Sequence, residues 1–296
     1  MTTYSIQHHT HYRYQFPVSV SHHSTHLQPR SDGRQRCHRF ALNLQPESVD
    51  LSERVDFFGN TVHFFSLQDL HDSFEVDATS EVSLEAQNPP IPEITPTCSE
   101  IRSMLSSHSR LDLIQAGQFC HPSPMVPGSE RIRAFAAPFF VPDQPILAGS
   151  MELCREIHKS FQFDATATDI STPVEQFFEN RRGVCQDFAH LALTCLRSHG
   201  LPARYVSGYI LTHPPPGQPR LQGADASHAW IAVHVPGYGW VDIDPTNYQI
   251  VSDEHITVAY GRDYSDVSVV RGAMLGGGEH EIEIAVTVSP VQTSAS

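Results

Sequence analysis

RRGVCQDFAHLAL, residues 181–193, sets one cysteine two residues after a glycine, where an apolar helical pattern begins. Phe188, Ala189, Leu191, Ala192, Cys195 and Leu196 recur at the spacing of a helix face turned to a core. Gly183 can close the preceding helix in a left-handed conformation and allow close approach of a substrate. Cys185 then falls in the first turn of a new helix, where backbone N–H groups lack intrahelical partners and the helix dipole is positive. Both features suit a nucleophilic sulfur, and the same N–H groups suit an oxyanion. Cys195, ten residues along the same stripe, reads as a structural core residue.

Downstream, ARYVSGYIL (203–211) and the segment from His228 to Val235 alternate as strands, followed by the turn Pro236-Gly237-Tyr238-Gly239 and a third strand, WVDID (240–244). In a hairpin the start of one strand lies beside the end of the next, which brings His228 near Asp244. A simple short loop would leave them offset by about three residues, some 10 Å along a strand, and a longer loop or a bulge would close the gap. Asp244 precedes Pro245 and is thereby restricted to an extended conformation. Asp242 shares its parity and is the runner-up, while Asp225 reads as an Asx turn. Asp187 complements the helix N-terminus and His190 projects further along the helix, so both read as structural. The Pro/Gly-rich stretch from His213 to Ser227 is the expected specificity loop.

Upstream, Leu147, Met151, Cys154, Ile157 and Phe161 recur at helical spacing, and Thr172-Pro173-Val174-Glu175 has the form of a helix start. The first 86 residues change period to two: Tyr4, Ile6, Tyr12, Tyr14 and Phe16 share a parity, Gly59-Asn60 sits between VDFF and TVHFF as a hairpin turn, and FEVDATSEVSLEA alternates again. NPPIPEITPT (88–97) breaks regular structure, and HEIEIAVTV near the end suggests one more strand. The expected division is an N-terminal β-sandwich region over 1–88, a linker and helical segment over 89–145, a catalytic core over 146–270, and a C-terminal strand with a disordered tail over 271–296.

Composition narrows the function. The 33 acidic against 19 basic residues, for a formal charge of −14, disfavour nucleic acid and anionic membranes as partners, because no basic patch offsets them. The start lacks a basic and then apolar leader pattern, so a cytoplasmic location is expected. Six scattered cysteines without a C-x-x-C pair argue against a disulfide framework or a thiolate zinc site. The histidine groups 8, 9, 11 and 22, 23, 26 sit in strand-like alternation without ligand companions at metal spacing, so neither metal nor organic cofactor is expected.

GVCQDFAHL (183–191), PARYVSGY (202–209), DASHAW (225–230) and GWVDIDPTN (239–247) together resemble the transglutaminase-like superfamily of papain-like thiol enzymes, in particular bacterial members with an added N-terminal β region. The resemblance extends to HHTHYRY, to the FFGN segment and to HITVAYGRDYSDV (255–267). It implies an α+β fold, a papain-like core in which the helix bearing the cysteine packs on an antiparallel sheet, preceded by a β-sandwich. It further implies Cys185 as nucleophile, His228 as general base and acid, and Asp244 as the group orienting the imidazole, acting on a peptide or protein substrate. Trp230, Tyr209 and Gly183 are the expected substrate contacts. Eukaryotic cross-linking members use a tryptophan upstream of the nucleophile; here the two tryptophans are 230 and 240. Amide hydrolysis through a thioester is therefore the expected reaction, ahead of transglutaminase transfer to an amine and of an inactive binding module.

Overall fold

The first strand organises the molecule. In a computed structural model, which describes residues 1–86, 88–107, 110–212 and 227–291, β1 runs from Thr2 to Thr25, far longer than a usual strand. It is followed by β2 (Gln35–Gln45), β3 (Asp50–Val55), β4 (Thr61–Leu67) and β5 (His71–Leu84). The first half of β1 pairs with β5, and the second half with β4. Register with β5 is interrupted between Arg13 and Val18, a stretch containing Pro17, which has no N–H to donate to a ladder. The expected turn is present: Gly59 takes φ 79° between β3 and β4, a conformation open to glycine without a Cβ penalty.

A helical segment follows, with α1 (Cys98–Ser107), α2 (Leu111–Gly117), α3 (Glu130–Ala136) and α4 (Ile146–Ser160), then the short strand β6 (Gln162–Phe163), α5 (Val174–Asn180) and β7 (Arg182–Gly183). Next come α6 (Cys185–Ser198), β8 (Ala203–Ile210), β9 (Ser227–Val235), β10 (Gly239–Asp244), β11 (Gln249–Ile250) and β12 (His255–Gly261). These strands form an antiparallel sheet in the order β11-β10-β9-β8-β12. This is the α+β arrangement expected from the sequence, with the cysteine-bearing helix packed on the sheet.

The chain end returns to its beginning. β13 (Val270–Gly276) and β14 (His280–Pro290) both pair with β1, completing a seven-stranded curled sheet. Phe65 of β4 packs with Phe74 and Ala78 of β5 to give this sheet its own interior. Tyr4, Ile6, Val286 and Val288 instead join the apolar cluster built around α6, so the β region and the helical core share buried surface.

Helix α6 is buried from Gln186 to Arg197. Its polar side chains are accordingly paired, as burial demands. Arg197 donates to the Ala203 carbonyl and to Ser123 Oγ, and Thr194 donates to the His190 carbonyl. His190 Nε2 accepts from the Tyr264 N–H at 3.3 Å, and burial lowers its pKa to about 4. Residues 213–226, which carry most of the expected specificity loop, and the tail 292–296 lie outside the described residues.

Candidate active site

Cys185 is the first residue of α6. The left-handed residue that turns the chain into it is Arg181, at φ 55°, and not Gly183. Glycine is needed at 183 for space instead: a Cβ there would lie 2.4 Å from Asp187 Oδ2 and 2.8 Å from the Phe177 ring. Asp187 occupies that space to accept from the Val184 N–H (2.9 Å) and the Thr168 hydroxyl (2.7 Å), pinning the helix start. The Asp187 N–H is spent on the Val184 carbonyl at 2.9 Å, which leaves the N–H groups of Cys185 and Gln186 as the first-turn donors.

The three-residue turn pairs Val235 with Gly239, and the ladder runs without a bulge to Ile231–Ile243. Continued by one residue, this register sets Asp244 level with Trp230, so its offset from His228 is two residues rather than the expected three. Side chains span that diagonal. His228 Nε2 lies 2.7 Å from Asp244 Oδ2, and the opposite ring nitrogen is left for the Cys185 sulfur, which opens into the same cavity. Although burial opposes charge on His228, the hydrogen bonds and negative charge of Asp244 and Cys185 prevail and raise its pKa to about 10. Asp244 is fully buried, and its hydrogen bonds to His228 and His255 overcome burial to hold the carboxyl far below the usual carboxylate range. The result is a chain of sulfur, imidazole and carboxylate capable of nucleophilic attack and proton return.

Two further residues, which lie in the matched segments but carry no expected role there, hold the carboxylate. Asn247 donates from Nδ2 to Asp244 Oδ2 at 2.7 Å, while Asp244 Oδ1 accepts from the backbone of Thr246 and Asn247. His255 of β12 approaches Asp244 Oδ2 at 3.3 Å and is fully buried. The D-x-x-N spacing in DPTN, an Asx-type turn, is the signal that could have revealed Asn247. His255 opens the segment 255–267, but nothing local ties it to Asp244, because it arrives from β12, three places from β10 in the sheet. Asp242, the runner-up, accepts from Trp230 Nε1 at 3.2 Å, and burial raises its carboxyl pKa.

The three expected substrate contacts sit beneath the cleft. Trp230 is fully buried beside His228, with ring centroids 6.0 Å apart. Tyr209 is buried with its hydroxyl on His8 Nδ1 at 2.9 Å. Gly183 is sealed by Asp187 and Phe177. Cys185 and His228 open instead into a cavity of about 530 Å³ whose walls include Tyr205, Ser207 and, from the β region, Tyr12, Tyr14 and His23. A larger recess of about 910 Å³, lined by Arg34, Arg204 and Trp240 among others, contains neither Cys185 nor His228.

Two groups among the described residues bring ligand atoms within metal-binding distance of one another. In His228, Asp244 and His255 those atoms are engaged in the hydrogen bonds just described. In His9, Glu75 and Asp77 the strand pairing of β1 with β5 supplies carboxylates that spacing along the chain did not reveal, with His9 Nδ1 and Asp77 Oδ1 2.7 Å apart on a half-exposed surface.

Residues 4–83 match the bacterial transglutaminase-like N-terminal region and residues 133–245 match the transglutaminase-like superfamily. An uncharacterized protein of Mycobacterium tuberculosis is 35% identical over 99% of this chain and 94% of its own. One from Mycobacterium leprae is 30% identical over 96% of this chain and 97% of its own. A protein-glutamine gamma-glutamyltransferase of Pseudomonas aeruginosa is 28% identical over 43% of this chain and 19% of its own length. A solved structure from Cytophaga hutchinsonii, described as a candidate cysteine protease, shares the fold at a TM-score of 0.77 and 18% identity, covering 100% of this chain and 92% of its own. With both regions matched in order, and with relatives similar from end to end, the chain belongs to the transglutaminase-like superfamily.

Proposed function

We propose that this protein is a thiol amidohydrolase that cleaves peptide or isopeptide amides through an acyl-enzyme. The observation that carries the reading is that His228, hydrogen-bonded to Asp244, shares a cavity with the Cys185 sulfur, which sits on the first residue of a helix. The imidazolium and the helix N-terminus both present positive charge to the sulfur, the setting in which a cysteine attacks as thiolate. Sulfur adds to the amide carbonyl carbon, and the Cys185 backbone N–H faces the developing oxyanion. The C–N bond breaks as His228 gives its proton to the departing amine, leaving a thioester. Water then adds to the thioester carbonyl, its proton passes to His228, and the C–S bond breaks to release the carboxylic acid.

Transfer to an amine is the second reading, favoured by the similarity to the Pseudomonas glutamyltransferase. A glutamine-containing peptide incubated with a labelled primary amine separates the two. Ammonia release or peptide cleavage outpacing amine incorporation supports hydrolysis, whereas incorporation dominating at modest amine concentration overturns it. Absence of all three, with no selective alkylation of Cys185 near neutral pH, would favour the inactive binding module.

A further inference from the structure

The cavity at Cys185 is built by two separate parts of the fold. One wall comes from the helix start and sheet of the core: Cys185, Gln186, Tyr205, Ser207 and His228. The other comes from the curled β sheet: Thr10, Tyr12 and Tyr14 of β1, and Gly272, Met274 and Ile284 of its C-terminal partners. The second wall exists because β13 and β14 pair with β1 on the side away from β5, and so reach the cavity mouth from the end of the chain.

Its chemistry is one-sided. Among the described residues lining the cavity there is no aspartate, glutamate, lysine or arginine. Burial lowers the pKa values of His8 and His23 to about 4 and raises that of Tyr12 to about 12, so these rings are neutral at pH 7. His8 spends both ring nitrogens on Tyr209 and Thr10. Tyr12 stacks on Phe74 at 5.6 Å, and His23 stacks on Phe65 and Phe74, which holds them as flat walls. Gly272 is required there, since a Cβ would sit 2.4 Å from His23 Nδ1. Beyond the reacting pair and the exposed His280, the walls offer an entering charge only neutral hydroxyl and amide groups, which replace its lost hydration in part.

We infer that the β region forms the acyl-side specificity pocket of the enzyme, and that this pocket selects an uncharged apolar side chain of aromatic size beside the scissile carbonyl over a carboxylate- or ammonium-bearing one. The inference rests on the thiol reading above and names the substrate class that it leaves open. Because an unpaired charge is costly to desolvate, discrimination of about 100-fold is expected.

Three matched chloromethyl ketones carrying a phenyl, a carboxylate or an ammonium side chain test it, each rate at Cys185 being divided by its rate with a free thiol and compared with iodoacetamide. The phenyl reagent should label about 100-fold faster than either charged one. Ile284→Arg, at an exposed rim position on β14, should narrow the gap between phenyl and carboxylate reagents by about tenfold and leave the ammonium reagent disfavoured. Selective iodoacetamide labelling with equal rates for the three reagents overturns the pocket assignment alone, as does an Ile284→Arg protein with unchanged ratios. No selective labelling by any reagent overturns the thiol reading and the pocket with it.

Discussion

Asp244→Asn is the substitution that tests the site most directly. In the native protein the carboxylate is fully buried, with Oδ2 2.7 Å from both His228 Nε2 and Asn247 Nδ2. An asparagine of the same shape keeps either the Oδ1 bonds to the Thr246 and Asn247 N–H groups or a proper acceptor for His228, but it loses the charge in every orientation. At an effective dielectric of about 20, two unit charges about 4 Å apart interact by about 4 kcal/mol, or about 10³ in rate if the imidazolium is needed in the transition state. The sign with pH follows. His228 is raised to about 10 by Asp244 and Cys185 against burial; without the carboxylate, only Cys185 opposes burial and the pKa falls. Turnover of an amide substrate, followed as kcat/KM across pH, should therefore fall about 10³-fold at pH 7, with its alkaline limb moved toward acid. Circular dichroism melts of the same protein separate this from unfolding. A folded Asp244→Asn variant within tenfold of wild type, or with an unmoved alkaline limb, would refute the assignment. A larger loss in Asp242→Asn would do the same.

Further outcomes follow from the same geometry. Cys185→Ala should abolish low-concentration iodoacetamide labelling and all amide turnover, while Cys195→Ala retains both; burial pushes up the thiols of Cys37, Cys98, Cys120, Cys154 and Cys195, and mass mapping of the label checks this. Asn247→Ala should lower kcat about tenfold with KM little changed, because one hydrogen bond to a charged group, about 1.5–3 kcal/mol, is removed from Asp244 and only partly replaced by solvent. Gly183→Ala should destabilise the protein by about 1–3 kcal/mol in urea melts, since its Cβ collides with Asp187 and Phe177. Stability should also fall as pH drops from about 6.5 to 4: His190 has a lowered pKa of about 4, so the unfolded chain takes up its proton first, and His190→Gln should flatten that dependence of Tm.

The sequence alone determined the local features. Apolar spacing located α6 and placed Cys185 at its first turn because a helix repeats every 3.6 residues and its buried face is written as a stripe. Period-two alternation located β1, β5 and β14, and Pro245 marked the end of the strand that carries Asp244. The matched segments from Gly183 to Asn247 carried the family and with it the α+β core. What alternation could not supply was partnership across the chain. A strand's pattern says which face is buried but not which strand lies alongside, so the return of β13 and β14 to β1 was invisible. With it went the wall formed by Tyr12, Tyr14, His23 and Met274. The same parity that read as a plain apolar face on β1 also contains His8 and Thr10, and only the tertiary structure turns that mixture into the side of a cavity. His255 reaches Asp244 from a strand that is not its sequence neighbour in the sheet, and the two-residue offset of His228 from Asp244 depends on the exact turn register. Long-range pairing of strands, decided by which surfaces can be buried together, set these features; local periodicity holds no record of it.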